Sequence, residues 1–411
     1  MACWIFRRGC PYSRQSLCPI RTVALPPTSR LSALARVRPS LRALFLALPL
    51  LALSAPAAQG QSAACEQPRP VCEARAAVFA VSSFDPIGSA VRIGETRLVT
   101  ARHVVADEQS VTVFLADGRP IDAQVVATDY PGDLIVLEAA GLPPGPVLTP
   151  AAVRAKGDLY TVGADVGLRR IRAYDPGRLR FAPPPDRPLA RLHHGAYTQP
   201  GNSGGALVDQ DGRLVGIAAS GGEGRFEAIP AAQIAALTAR SGPDMAAASA
   251  EIGAAVRICT TLLDANRTPG RRLEDQQAKA IATSCRRSGN RQLLDLAGQT
   301  LGRSGRAEAA IGLFEQGLAE DPNAVNTRIG LTITYHLARE FEAALPHLRW
   351  LMDNVGDDLQ VLRLSIQAGA WAGDLALAER ALARLKEVNP QSAPAAERFL
   401  NNPPPRPAKV R

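Results

Sequence analysis

Apolar residues follow two different rhythms along this chain. From about Ala76 to Thr238 they come in short, β-branched or alternating runs: AVFAVSS (77–83), GSAVRIG (88–94), TRLVTA (96–101), SVTVFLA (110–116), AQVVATD (123–129) and DLIVLEA (133–139). Each run is bounded by Gly, Asp or Pro, which is the pattern of half-buried strands joined by tight turns. Regular spacing of this kind predicts an all-β barrel or sandwich. Pro- and Gly-rich stretches at 141–150 and 182–188 read as surface loops.

The rhythm changes after SGPDMAAASA (241–250), which reads as a linker, and everything from 251 to 400 is predicted helical. A period of 34 residues aligns Ala310 with Ala344 and Ala378, and Phe314 with Leu348 and Leu382. Pro322, Gly356 and Pro390 close the units, and Gly298 and Tyr335 also stand at matching offsets. This spacing resembles tetratricopeptide repeats. Three units, at 291–324, 325–358 and 359–392, would follow a capping helical pair at 252–288. Such hairpins cannot bury their apolar stripes alone, so stacked units leave a groove able to dock a peptide or a protein partner. An irregular helical bundle packed on the β half is the alternative. The tail, NNPPPRPAKVR (401–411), is expected to be disordered.

Charge alters the picture only at the N-terminus. The net charge is +9, but Arg7, Arg8, Arg14, Arg21, Arg30, Arg36, Arg38 and Arg42 lie in the first sixty residues with no acid, so +9 less 8 leaves +1 for the rest. The remainder lacks the basic face that phosphate binding needs, and nucleic acid is excluded as a partner. Residues 1–58 read as a leader: an arginine-rich stretch, an apolar core ALFLALPLLALSA (43–55), then small residues suited to signal peptidase. About 13 apolar residues are too few to cross a bilayer, which needs about 20, so no stable membrane insertion is expected. The stretch before the apolar core is long for a signal peptide, which places the expected translation start near Val37. The expected destination is the periplasm or the medium.

Cysteine usage agrees with export. Cys3, Cys10 and Cys18 go with the leader, leaving Cys65, Cys72, Cys259 and Cys285. In an oxidising compartment the simplest of three connectivities joins Cys65 to Cys72, in an N-terminal segment at 59–75, and Cys259 to Cys285, between two helices. If those helices turn at Pro269-Gly270, ideal antiparallel pairing offsets the second pair by roughly 7 Å. No histidine stands at ligand spacing to any of these cysteines, so no metal site is predicted, and no cofactor.

Three segments of the β half carry candidate chemistry. QPGNSGGA (199–206) sets Ser203 among glycines, which let a carbonyl approach the hydroxyl and let a tight turn aim backbone amides at one point. LVTARHVV (98–105) places His103 at a strand end, where one ring nitrogen can take a proton if the other has a partner. DYPGDLIVL (129–137) offers Asp129 and Asp133 as that partner. The remaining histidines, His193, His194, His336 and His347, read as ordinary satisfied side chains.

Together these segments, in the order His, Asp, Ser, resemble the chymotrypsin superfamily, and the HtrA/Deg-like proteases of bacterial envelopes most of all. The resemblance spans about residues 76–240. It implies a chymotrypsin-like double barrel, here followed by an all-α tetratricopeptide-like domain, and a triad of His103, Asp133 and Ser203. Asp133 is preferred to Asp129 because the family's acid directly precedes the apolar strand. The amides of Gly201 and Ser203 would form the oxyanion hole. RLVGIAAS (213–220) and FEAIP (226–230) match the strands beside the specificity pocket, giving Tyr197 as its floor and Ile217, Ala218 and Ala219 as its wall. Small or aliphatic side chains before the cut are expected, although Glu223 and Glu227 stand nearby. Val104 and Asn202 depart from animal trypsins, so activation by a freshly cut N-terminus is not expected, and no PDZ domain follows. The implied activity is a serine endopeptidase acting on polypeptides; the alternative is an inactive protease-like scaffold whose repeats do the work.

Overall fold

A computed structural model describes residues 65–408, apart from 168, 169, 185, 223 and 269–271. The leader 1–58, Glu223 and the Pro269-Gly270 turn lie outside these residues.

The six strand-like runs between 77 and 139 become the strands of one closed barrel, and a second barrel follows it. The first closes β1 (Val78–Ser82), β2 (Gly88–Arg92), β3 (Arg97–Thr100), β4 (Ser110–Phe114), β5 (Pro120–Val126) and β6 (Ile135–Glu138) in the order β1-β2-β3-β6-β5-β4. All of its pairings are antiparallel, and the register sets Val91 against Val99 and Val99 against Val136. Alternation therefore delivers Phe79, Val81, Ala90, Leu98, Val111, Val113, Ile135 and Leu137 to one buried cluster. The second barrel uses β7 (Asp158–Ala164), β8 (Ile171–Ala173), β9 (Gly177–Phe181), β10 (Leu192–His194), β11 (Ala206–Asp209), β12 (Leu214–Gly222) and β13 (Arg225–Pro230). Pairing of β11 with β7 closes a six-strand ring, and β8 hangs on β7 as a seventh strand.

A short helix, α1 (Arg69–Ala74), precedes the barrels and drives Val71 into the core between them. Its N-terminal side is closed by the Cys65–Cys72 disulfide. The one-turn α2 (Arg102–Val105) follows β3, and α3 (Gln233–Ala239) follows the second barrel.

Nine helices make up the rest of the described chain. Two, α4 (Ala246–Ala265) and α5 (Asp275–Arg287), are joined by the Cys259–Cys285 disulfide, with Cα atoms 4.9 Å apart. The pair forms with α4 ending at Ala265 and α5 beginning at Asp275. Each 34-residue window then holds one helix pair: α6 (Arg291–Arg303) with α7 (Ala307–Glu320), α8 (Val325–Ala338) with α9 (Phe341–Val355), and α10 (Leu359–Ala372) with α11 (Leu375–Val388). α12 (Ala393–Asn401) ends the array. The aligned positions Ala310, Ala344, Ala378, Phe314, Leu348 and Leu382 are all buried, as close helix packing requires of small and apolar residues at a fixed period. At Gly298 a side chain would run into the Phe314 ring, so the glycine sets the approach of α6 to α7.

Two expectations are corrected. Residues 241–250 are not a loose linker: Pro243–Met245 form a 3-10 turn and Ala246 already begins α4. Small residues read as linker here because an alanine-rich first turn looks the same as a flexible one without its packing partners. Nor is the start of the tail free. Trp371 donates its indole N–H to the Pro404 carbonyl at 3.1 Å, Arg339 reaches the Ala408 carbonyl at 2.7 Å, and Arg406 pairs with Glu342.

The helices pack directly on the barrels. Gly253 of α4 lies against Ala106, where a Cβ would sit 2.8 Å from the carbonyl carbon. Asp321, fully buried after α7, accepts from the Arg191 amide at 3.0 Å and from Nε2 of His193 at 2.8 Å. Burial alone would raise its pKa, but the hydrogen bond and charge of His193, with Arg291 and the Arg191 amide, outweigh this and pull it down to about 2.

Candidate functional site

His103 owes its position to a forced turn. β3 runs out at Thr100, α2 makes a single turn, and Ala106 reverses the chain at φ 54°, on the side of backbone space that a Cβ disfavours by about 1–3 kcal/mol. The turn holds because the Arg102 amide donates to the Asp133 carbonyl at 3.2 Å and the His103 amide to Asp133 Oδ1 at 2.9 Å. The imidazole then places Nδ1 2.7 Å from Oδ2 of the same carboxylate. Two oxygens of one buried acid thus fix both the backbone and the ring of His103, and Nδ1 carries the proton while Nε2 is left as the basic nitrogen. The alternative acid, Asp129, is taken up elsewhere, in an ion pair with Arg240.

Burial lowers the pKa of the imidazole, but the charge and hydrogen bond of Asp133 more than restore it, so it stands above the ordinary histidine value. Burial likewise pushes Asp133 up, yet His103 and Arg191 bring it below the usual carboxylate value. Arg102, fully buried beside it, is lowered to about 10 by burial against the opposing charge of Asp133. Its guanidinium donates to the Thr128 carbonyl at 3.1 Å.

The serine loop is held from beneath. Ser89 of β2 donates its amide to the Ser203 carbonyl at 2.8 Å and its hydroxyl to the Gly201 carbonyl at 2.7 Å. Asn202 is fully buried, accepting from the Gln199 amide at 2.9 Å and donating to the Ala164 carbonyl at 3.0 Å. Gly201 and Gly204 adopt φ of 92° and 83°; a Cβ at Gly204 would lie 2.8 Å from the Ala101 amide, so the loop presses against the start of the His103 turn. The Gly204 amide is used by the Ala218 carbonyl at 2.8 Å. Those of Gly201 and Ser203 meet no acceptor among the described residues. No hydrogen bond joins the Ser203 hydroxyl to His103 in this structure, although such contacts often tighten only with substrate bound.

Residues 88–217 match the family model of the trypsin-like peptidase domain. Over those residues the β-barrel pair is similar to trypsin-like peptidase domains. Over 129 residues the chain is 35% identical to serine endoprotease DegS of Salmonella typhimurium, covering 29% of this chain and 35% of DegS. Over 141 residues it is 30% identical to serine protease Rv3671c of Mycobacterium tuberculosis, covering 32% of this chain and 35% of that protein. Among solved structures it is similar to the HtrA-type protease AlgW with tripeptide, at 29% identity and a TM-score of 0.37, over 41% of this chain and 61% of that one. The chain spans about a third of the length of the curated relatives it matches.

The residues expected to line a specificity pocket lie at different depths in the second barrel. Tyr197 is 45% exposed, its ring 5.9 Å from that of Tyr174 and 6.1 Å from that of Phe226. Ile217 points into the core between the barrels and Ala219 joins the same cluster. Ala218 serves through its backbone, which brackets the serine loop. Glu227 is buried, facing Ser220 and His193. Strand positions were readable from the pattern, but which face of β12 meets the solvent depends on the register shift between Ala218 and Ser220, which no pattern shows.

One side chain at this site had no sequence signal. Asn290 of the α5–α6 turn donates Nδ2 to Asp133 Oδ2 at 2.8 Å and lies 3.1 Å from His103 Nδ1. Nothing but an ordinary helix start distinguishes it in the sequence. A cavity of about 270 Å3 opens at the same junction, lined by Tyr130, Asp133, Arg191, Asn290, Arg291 and Leu294 among others. Among the described residues no group of His, Cys, Asp and Glu could hold a metal ion.

Proposed function

We propose that the chain is an exported serine endopeptidase in which Ser203 attacks a peptide carbonyl, His103 takes its proton through Nε2, and Asp133 holds the imidazole and favours its protonated form. The tetrahedral oxyanion would sit on the amides of Gly201 and Ser203. His103 then returns the proton to the leaving amine, and water repeats the cycle on the acyl-enzyme. The observation that carries this reading is the double grip of Asp133 on His103 beside two unclaimed amides on the serine loop. Export is supported by the leader and by the two cystines, which suit an oxidising compartment. The paired helices read as tetratricopeptide-like units that dock polypeptide substrate or a protein partner, on the strength of three helix pairs matching the 34-residue period.

A fluorophosphonate probe tests the reading: the full chain is expected to label at one site, and Ser203→Ala to abolish labelling. The missing Ser203–His103 bond is the one feature that favours an inactive scaffold. Absence of labelling at every pH from 5 to 10 would establish that alternative.

A further inference from the structure

The described helices do more than lie beside the protease domain. The turn between α5 and α6, residues 288–290, is pressed onto the loop that carries Asp133. Gly289, at φ 64°, sits where any Cβ would strike the Pro131 carbonyl oxygen, and Ser288 is fully buried, its hydroxyl bonded to the Cys285 carbonyl at 2.6 Å. Asn290, 4% exposed, starts α6 as its N-cap: Oδ1 accepts from the Leu293 amide at 2.8 Å. That bond decides which way the amide faces. With its oxygen committed to the helix, the NH2 group must point at the acid, and it meets Asp133 Oδ2 at 2.8 Å. His103 Nδ1–H donates to the same oxygen, so the 3.1 Å between the two nitrogens is the gap between two donors converging on one acceptor.

The geometry points to Asn290 as a positioning residue of the peptidase centre, supplied by the helical part of the chain, which fixes the carboxylate that in turn fixes His103. It rests on the peptidase reading for its effect on rate, but the contact itself does not. Asp133 thereby accepts three hydrogen bonds: the His103 amide on Oδ1, and the imidazole and the Asn290 amide on Oδ2. A donor on a carboxylate draws charge from it and limits its swing about Cβ. Without Asn290 the acid would be more basic and looser; it would hold the imidazolium more strongly and orient the neutral ring less well. The other charges facing His103 are Asp85 and Arg191, and neither is altered by replacing Asn290.

Asn290→Ala removes both cap and donor and risks the helix itself. Asn290→Ser keeps a good N-cap, while a hydroxyl bonded to the Leu293 amide is too short to reach Asp133. Labelling of the full chain by a fluorophosphonate is expected to slow about 10- to 100-fold in Asn290→Ser, the range for a hydrogen bond to a charged group. The acidic limb of its pH profile is expected to move to higher pH. Arg257→Ala serves as the control, since Arg257 pairs with Asp107 and Glu108 at the edge of the same contact without touching the dyad; it should label at the wild-type rate. NMR titration of His103 gives a second reading that needs no activity, with the imidazole pKa expected to rise in Asn290→Ser. Coincident titration curves in the two proteins would overturn the proposal, as would an unchanged labelling rate and pH profile. A wild-type chain that never labels would overturn the peptidase reading instead, and the titration would still decide the role of Asn290.

Discussion

Asp295 is a residue whose charge the fold tolerates poorly. Buried in α6, with Glu227 and Asp321 as neighbouring acids, its carboxyl is pushed up to about 7, first by burial and then by the repulsion of Glu227. An acid with a raised folded pKa costs nothing below its unfolded value near 4, where it is neutral in both states, and destabilises the fold progressively as pH rises towards 7. Asp295→Asn is therefore expected to stabilise the chain at pH 8, by on the order of 1–3 kcal/mol, and to change little at pH 4. Denaturant melts at the two pH values check this. The sign is opposite for His103. Its raised pKa contributes stability that is complete below the unfolded value and is lost as pH climbs through the folded one, while the base itself becomes available only over that same climb. Turnover of a peptide substrate should accordingly show an acidic limb centred above pH 6.5, and a limb centred below it would contradict the grip of Asp133 on the ring. The residues alone left Asp129 and Asp133 both open as the acid, and the preference for Asp133 came from the family resemblance. Asn290 was not legible at all, since a cap residue looks alike wherever its helix happens to dock.

At the scale of elements, what could be read was what depends on local pattern. The strands of the first barrel follow from alternation and turn residues, the double-barrel form came from the family resemblance, and the 34-residue period located each helix pair because burial of Ala310, Ala344 and Ala378 needs small residues at fixed intervals. What escaped was whatever depends on contact between distant segments: the early start of α4 and the docked tail. The α5–α6 turn gives the sharpest test. Gly289→Ala meets both a left-handed backbone and the Pro131 carbonyl, so a loss of more than about 1 kcal/mol is expected in thermal or denaturant unfolding. The same substitution at Gly312, on an α7 surface where a Cβ meets nothing, should be neutral or slightly stabilising.

For the whole molecule, the decisive feature is that buried polar contacts tie helices to barrels at more than one place. Asp321 takes the Arg191 amide and His193, Arg225 reaches Asn326 and Asp358, and Asn290 takes Asp133. Each would be lost in a half-unfolded chain, at a net cost of about 1–3 kcal/mol apiece for hydrogen bonds to charged groups. Calorimetry is therefore expected to show the barrels and helices melting together, and Asp321→Ala to lower that single transition and begin to split it.

The Cys259–Cys285 bond has a consequence of a different kind. It fastens the last turn of α5, from which Ser288, Gly289 and Asn290 hang, to α4, which is itself seated on the His103 turn. Replacing both cysteines by serine is expected to slow probe labelling severalfold, whereas serines at Cys65 and Cys72 should leave the rate near that of the native chain. A newly made polypeptide with its thiols still reduced would own every reactive group and yet be a poor enzyme. Ripening would wait for oxidation of that one pair of thiols.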